Sequence, residues 1–255
     1  MFENKKILIL GMARSGYEAA KVLIKRGNTV ILNDGKEEEK LNKEQVEELR
    51  ELGVTVILGT HPDDLLDDSF DYLIKNPGVP IRHKYVVKAR DLNIELAYRL
   101  LPKTVKLVGI TGTNGKTTTT TLTYEILKKA FNDKVHLAGN IGYPLCSILD
   151  KVVDGDIIVM EVSAQQGENL VTFKPNVGLM TNLSPAHLEF FGDYDYYKSV
   201  KAKMFYNQTT DDVAIMNMEN KDVMDLLKGI KSQAKYFSSK NEINGVYLKD
   251  NAIYY

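Results

Sequence analysis

Charge of one sign is what this 255-residue sequence most plainly lacks: 33 Lys and Arg stand against 34 Asp and Glu, a formal net charge of −1. A chain without a basic surplus has little to neutralise a phosphate backbone, so nucleic acid is not an expected partner. One cysteine, Cys146, excludes an internal disulfide framework and a cysteine-based zinc site. The four histidines, His61, His83, His136 and His187, are scattered and never fall four residues apart. No apolar run approaches the roughly 20 residues of a membrane span, and K-I-L-I-L near the N-terminus is too short for a signal peptide. The expectation is a cytoplasmic chain with no membrane partner. Tryptophan is absent, which excludes nothing. What remains, 44% hydrophobic and 26% charged residues, is ordinary for globular protein and excludes long disorder. The length suggests about two domains.

The first hundred residues alternate strand and helix signals. The run at 6–10 ends at Gly11 and reads as a buried parallel strand. Apolar residues at helical spacing predict a helix over 17–26, closed by Gly27. T-V-I-L-N-D predicts a strand ending on Asp34, and 37–52 a charged amphipathic helix before Gly53. Strands follow in V-T-V-I-L-G and D-Y-L-I-K-N, the latter running into Asn76, Pro77 and Gly78. Parallel strands with helical crossovers give a doubly wound α/β sheet. A second α/β unit begins after Leu101 and Pro102, so the predicted domains are 1–101 and 102–255. Its expected strands are K-L-V-G-I, D-I-I-V-M-E-V, V-G-L-M-T-N, V-A-I-M-N and A-K-Y-F-S. A threonine-rich helix follows the first of these, a short helix lies near 222–227, and a terminal hairpin turns at Asp250 and Asn251.

The strongest chemical signal is K-L-V-G-I-T-G-T-N-G-K-T-T over 106–118: strand, glycine turn, Lys116, Thr117, helix. Glycines let backbone N–H groups close around phosphate oxygens, and the helix N-terminus adds partial positive charge. Lys116 would reach the β- and γ-phosphates, and the Thr117 hydroxyl would ligate Mg²⁺. The general pattern places its first glycine at position 110, which is Ile110; here the glycine is Gly112. Thus Gly112, Thr113, Asn114, Gly115, Lys116, Thr117 and Thr118 form the candidate ATP loop. In the first unit, G-M-A-R-S-G follows a strand, opens a helix, and has Asp34 at the next strand's end. It is nearly a dinucleotide fingerprint, but Ala13 replaces the middle glycine, and its Cβ hinders a pyrophosphate's approach to the backbone.

The shortened loop resembles that of the Mur ligase superfamily, which also includes folylpolyglutamate synthases. G-M-A-R-S-G, Asp34 with Gly35 and Lys36, K-N-P-G-V-P, G-N-I-G, M-E-V-S and T-N-L-S-P-A-H-L are similar to successive motifs of that superfamily across essentially the whole chain. The resemblance implies a Rossmann-like UDP-binding domain followed by a P-loop ATPase-type α/β domain. It implies an ATP-dependent ligase of peptidoglycan precursor synthesis, working through an acyl phosphate as a monomer. The implied small-molecule substrates are UDP-N-acetylmuramoyl-L-alanine and D-glutamate.

By the same resemblance, Ala13, Arg14 and Ser15 lie near the diphosphate, and Asp34, Gly35 and Lys36 near uracil or ribose. Asn76, Pro77 and Gly78 form a further wall, while Asn140 and Ser163 line the substrate carboxylate and phosphate region. Gln166 is a weaker match beside them. Glu161 matches the glutamate that holds Mg²⁺ with Thr117, and His187 the histidine of a second metal. Lys201 matches a lysine carbamylated by CO₂, with Lys198 and Lys203 as neighbouring registers. Lys116, His187 and Lys201 are then the catalytic set, and Thr117, Glu161, His187 and Lys201 the metal set. One departure is S-A-Q-Q at 163–166, where relatives carry an aromatic. The chain also stops about where a third, amino-acid-binding domain is expected, so it reads as incomplete for turnover. Alternatives are another Mur-type amino-acid ligase, a non-catalytic nucleotide or UDP-sugar-binding remnant and, more distantly, an NAD-dependent oxidoreductase.

Overall fold

The computed structural model describes residues 3–67, 69–80, 83–88, 96–168 and 170–255. Two compact units result: Met1–Leu101 with Pro144–Lys151, and Pro102–Tyr143 with Val152–Tyr255. Segment 144–151 thus groups with the first unit, although the expected boundary after residue 101 puts it in the second. A 3₁₀ turn, Leu145–Lys151, buries Leu145, Ile148 and Leu149 and packs on the first unit.

In the first unit, β1 (Lys6–Leu10), α1 (Arg14–Lys25), β2 (Thr29–Asp34), α2 (Lys43–Glu51), β3 (Thr55–Leu58) and β4 (Tyr72–Lys75) precede two short helices, α3 (Lys84–Lys88) and α4 (Leu96–Leu100). The sheet is parallel in the order β3-β2-β1-β4, so β1 is central. Burial on both faces explains its unbroken apolar run: Ile7, Leu8, Ile9 and Leu10 are all fully buried. Helix α1 lays Tyr17, Ala19, Ala20 and Leu23 on the same core. The helix expected over 37–52 is divided. A 3₁₀ turn at Glu38–Lys40 ends at Leu41, and Asn42 then caps α2 by accepting a bond from the Gln45 N–H at 3.1 Å. A good N-cap starts a new helix there instead of continuing the old turn.

The second unit contains β5 (Lys106–Thr111), α5 (Lys116–Phe131), β6 (Val135–Gly139), β7 (Ile157–Glu161), α6 (Ala164–Gly167), β8 (Val177–Met180), α7 (Leu188–Phe191) and α8 (Tyr194–Tyr206). It continues with β9 (Val213–Asn217), α9 (Lys221–Leu226), β10 (Gln233–Ser238), β11 (Val246–Lys249) and β12 (Ala252–Tyr254). The eight strands lie in the order β12-β11-β10-β9-β8-β5-β7-β6, parallel except for the β11–β12 hairpin. The hairpin turns where expected, with Asp250 at φ 49° and Asn251 at φ 58°, the positive pair a two-residue turn requires. Strand β6 was not anticipated; V-H-L-A-G is short and lies at the sheet edge beside β7.

Helix α8 lies close against the sheet. A Cβ on Gly109 of β5 would lie 3.1 Å from Met204 Sδ, and one on Gly178 of β8 would lie 2.7 Å from the Phe205 ring. Two mid-strand glycines therefore let α8 settle directly onto the sheet, a close approach that side chains would forbid. Among the described residues, no helix is long and apolar enough to cross a membrane.

Candidate functional site

Between the end of β5 and the start of α5, the chain runs Gly112, Thr113, Asn114, Gly115. Gly112 has φ 142°, and a Cβ there would run into Thr181 Oγ1. Gly115, at φ 78°, N-caps α5 without a side-chain bond and has open space where a Cβ would point. The first-turn N–H groups of this 16-residue helix therefore face outward without a side-chain acceptor, an anion cradle by construction. Lys116 Nζ folds back onto the Thr113 carbonyl at 2.9 Å, and Thr118 lies exposed in the first turn.

A second strand end holds the loop in place. Thr113 N–H donates to the Asn182 carbonyl at 2.9 Å, and Asn114 N–H to Asn182 Oδ1 at 3.0 Å. The Asn114 carbonyl accepts from Asn182 Nδ2 at 3.0 Å and Thr181 Oγ1 at 2.7 Å. The Thr113 hydroxyl lies 3.1 Å from both the Ser184 carbonyl and the Tyr197 hydroxyl. Sequence reading assigned no role to Asn182 or Tyr197. The signal available was the segment T-N-L-S itself, following a strand whose neighbour in the sheet carries the loop.

Glu161, at the end of β7 and 1% exposed, accepts from Thr117 Oγ1 at 2.8 Å and from Asn140 Nδ2 at 2.6 Å. A buried carboxylate touching a loop hydroxyl is a hard oxygen pair of the kind Mg²⁺ takes, with water completing its octahedron. Gly139 permits this: a Cβ there would collide with the Glu161 carbonyl, and Asn140 N–H donates to that carbonyl at 2.9 Å.

Lys201 comes from α8, one turn before Met204 and Phe205. It is 3% exposed, donates to the Gly112 carbonyl at 2.7 Å, and lies 5.0 Å over the Tyr197 ring. Burial first, then the Lys116 charge, pushes its pKa down to about 7, against an opposing pull from Glu161. The neighbouring lysines are engaged elsewhere: Lys198 pairs with Asp195 at 2.8 Å, and Lys203 donates to the Glu168 carbonyl at 2.9 Å. His187 N-caps the short α7 at φ 53°, with 57% of its side chain exposed and Glu189 at 3.8 Å. No group of three or more His, Cys, Asp or Glu able to hold a metal occurs among the described residues. Ser163 and Gln166 spend their polar groups on each other's backbone as a capping box on α6.

In the first unit the turn after β1 is equally tight. Gly11 has φ 94°, and a Cβ on Gly16 would collide with the Gly11 carbonyl. Ala13 and Arg14 are exposed at the start of α1, with Ser15 half-buried, and Ala13 caps the helix without a side-chain bond. Asp34 ties two segments together, its Oδ2 accepting from Met12 N–H at 2.7 Å and its Oδ1 from Lys36 N–H at 2.9 Å. Gly35 and Lys36 are exposed. Asn76, 9% exposed, accepts from Gly78 N–H at 3.2 Å, and its buried Nδ2 has no hydrogen-bond partner. Pro77 is half-buried between them. An orphaned donor beside Gly11 and an uncapped helix start suit a polar, anionic ligand.

Comparison with known proteins places these features in a family. Residues 110–255 match the Mur ligase middle domain, and residues 5–97 the Mur ligase MurD-like N-terminal domain. A UDP-N-acetylmuramoylalanine–D-glutamate ligase of Lactococcus lactis is 43% identical over 260 residues, covering 100% of this chain and 57% of that protein. The enzyme of the same name from Bacillus cereus is 40% identical over 261 residues, again covering 100% and 57%. This chain thus spans a little over half the length of these relatives. Among solved structures, a murein peptide ligase of Psychrobacter arcticus superposes with TM-score 0.58 at 18% identity, covering 96% of this chain and 56% of that one. The UDP-N-acetylmuramate:L-alanyl-gamma-D-glutamyl-meso-diaminopimelate ligase of Neisseria gives 0.57 at 17% identity, covering 98% and 85%. These two likenesses concern the fold. The chain belongs to the Mur ligase family.

Proposed function

We propose that this chain carries the sugar-nucleotide and ATP sites of an ATP-dependent ligase that adds D-glutamate to UDP-N-acetylmuramoyl-L-alanine, a cytoplasmic step in making peptidoglycan precursors. The first unit binds the UDP end of the acceptor and the second binds ATP. The γ-phosphoryl group passes to the acceptor's carboxylate, releasing ADP. The amino-acid nitrogen then attacks the acyl carbon, phosphate leaves, and the nitrogen loses its proton. Both steps concentrate negative charge on phosphate and then on a tetrahedral carbon, so fixed cations and dipoles carry most of the catalysis.

The observation that carries the reading is the second-unit loop, with its open Gly115 cradle, the Lys116 cation beside it, and Glu161 held against Thr117. Thr117 and Glu161 would hold Mg²⁺, which supplies charge neutralisation between the phosphates. Lys116 neutralises the phosphate charge, and Asn140 keeps Glu161 aimed at Thr117. Lys201 is suited to carbamylation: an amine with a pKa near 7 is substantially neutral at physiological pH, and the neutral nitrogen bonds to CO₂ with loss of a proton. Its product, an anionic oxygen ligand, sits against the loop instead of a second cation.

Two titrations test the proposal. UDP-N-acetylmuramoyl-L-alanine, added calorimetrically without ATP, should bind saturably, and Asp34→Ala should abolish that heat. Lys116→Ala should remove Mg-ATP affinity while leaving sugar-nucleotide binding intact. Unchanged ATP affinity in Lys116→Ala would sink the loop assignment; no sugar-nucleotide heat from a chain that binds Mg-ATP would move the reading to another Mur-type ligase or a remnant.

A further inference from the structure

We propose that His61 is a ligand-contacting residue of the first unit, its Nε2 accepting a hydrogen bond from the nucleoside end of the bound nucleotide. The inference rests on the UDP reading above and adds a residue to that site. Asn33 is fully buried at the end of β2. Both Nδ2 hydrogens are spent on backbone carbonyls, Ile57 at 3.0 Å and Thr60 at 2.7 Å. Asn33 Oδ1 is thereby fixed as an acceptor, and it lies 2.6 Å from His61 Nδ1. Nδ1 must carry the proton, so the neutral ring presents Nε2 as a bare lone pair.

The ring is held from other sides as well. Lys84 donates to the His61 carbonyl, His83 packs edge-on with ring centroids 4.5 Å apart, and Tyr85 completes the cluster. Burial, then His61 and Lys84, lower the pKa of His83. Nε2 lies 2.6 Å from where a Cβ on Gly35 would be, directly behind the loop that Asp34 ties to the Met12 turn. No described residue donates to Nε2. An acceptor fixed in tautomer, without a protein partner, at the base and ribose side of the site selects an N–H or O–H donor. UDP offers both, as its imide N–H and its ribose hydroxyls.

The experiment uses UDP as probe, with N3-methyl-UDP and 2′,3′-dideoxy-UDP as the arms lacking the imide or the ribose donors, in wild type and His61→Ala. Wild type should bind UDP about tenfold more tightly than one of the two analogues, the loss expected for one hydrogen bond. His61→Ala should bind UDP about tenfold more weakly and treat the three ligands alike, with Mg-ATP affinity unchanged. Should the variant fail to fold, ¹⁵N NMR of the wild-type imidazole decides: UDP should move the Nε2 resonance while Nδ1 stays protonated. If wild type binds UDP but His61→Ala keeps the same discrimination, or Nε2 does not respond, the role of His61 is overturned and the UDP site stands. If wild type binds Mg-ATP but no UDP, the sugar-nucleotide reading falls, and this inference with it.

Discussion

Replacing Gly178 by alanine tests whether the seating of α8 on the sheet controls the phosphate loop. The added Cβ would lie 2.7 Å from Phe205 Cε1 and 3.3 Å from Gln208 Nε2, both in the buried face. Carbon atoms at optimal separation sit roughly 3.5–4.0 Å apart, so α8 must back away by about 1 Å. Overpacking of this kind costs about 1–3 kcal/mol, partly offset by about 0.4–1 kcal/mol from the stiffer unfolded chain, leaving a net loss near 1–2 kcal/mol. The same retreat stretches the 2.7 Å bond from Lys201 Nζ to the Gly112 carbonyl beyond hydrogen-bond range and draws Tyr197 off the Thr113 hydroxyl. Urea unfolding followed through the second unit should show the stability loss, and calorimetry a Mg-ATP affinity about tenfold weaker. Phe205→Leu in the same chain should restore much of both. Lower stability with unaltered ATP affinity in Gly178→Ala would refute the coupling between helix seat and loop.

Three further outcomes follow from single contacts. Asn182→Ala removes both side-chain bonds to Asn114, so Mg-ATP affinity should fall about tenfold while the melting temperature moves little. Lys174→Met breaks the pair to Asp212, which is 1% exposed, and should destabilise the second unit by about 2–4 kcal/mol at pH 7. Burial pushes the Asp212 carboxyl up, but the Lys174 and Thr209 bonds outweigh it and leave the pKa lowered. That stability is present above the ordinary carboxylate range and is lost as pH falls through the lowered value, so the variant and wild type should converge in acid. Lys201→Met in CO₂-free buffer should have the opposite sign. A pKa near 7 against 10.5 unfolded means the folded state opposes the charge, a cost of about 5 kcal/mol that is full below pH 7 and fades as pH rises toward 10.5. After the lost hydrogen bond is subtracted, the methionine variant should be more stable by a few kcal/mol at pH 6, with the gain vanishing near pH 10.5.

The candidate phosphate loop was legible because each requirement narrows the residue type: glycine at φ 142° and 78°, a cation at Lys116, a hydroxyl at Thr117. Most strands were legible for a similar reason, since a strand buried on both faces must be apolar throughout. The failures share a different cause. Strand β6 is short and at an edge, so its pattern carries a polar His136 and ends in a glycine that looks like a turn. Segment 145–151 reads as part of its sequence neighbours, but its apolar face is complementary to α1, and nothing local reveals that. The roles of Asn182, Tyr197 and His61 depend on contacts 68, 84 and 28 residues away in sequence, which local spacing does not encode. Gly109 and Gly178 gave a local signal, glycine in mid-strand, whose meaning needed the helix that fills the space.

Lys201 depends on both local and distant sequence. Its position in the sequence matched a motif, but the match did not say why that lysine rather than Lys198 or Lys203 should be chemically distinct. The fold supplies the reason: two strand glycines bring α8 down, and α8 carries one amine into a buried place against the phosphate loop, within the field of Lys116. A solvated lysine would cost nothing, whereas this amine is desolvated near a cation, with Glu161 the opposing charge acting on it. Packing alone would favour methionine or leucine at that position. Strain of this size concentrates where a site needs it, so the arrangement is better explained by what the amine does at the loop than by what it contributes to the fold.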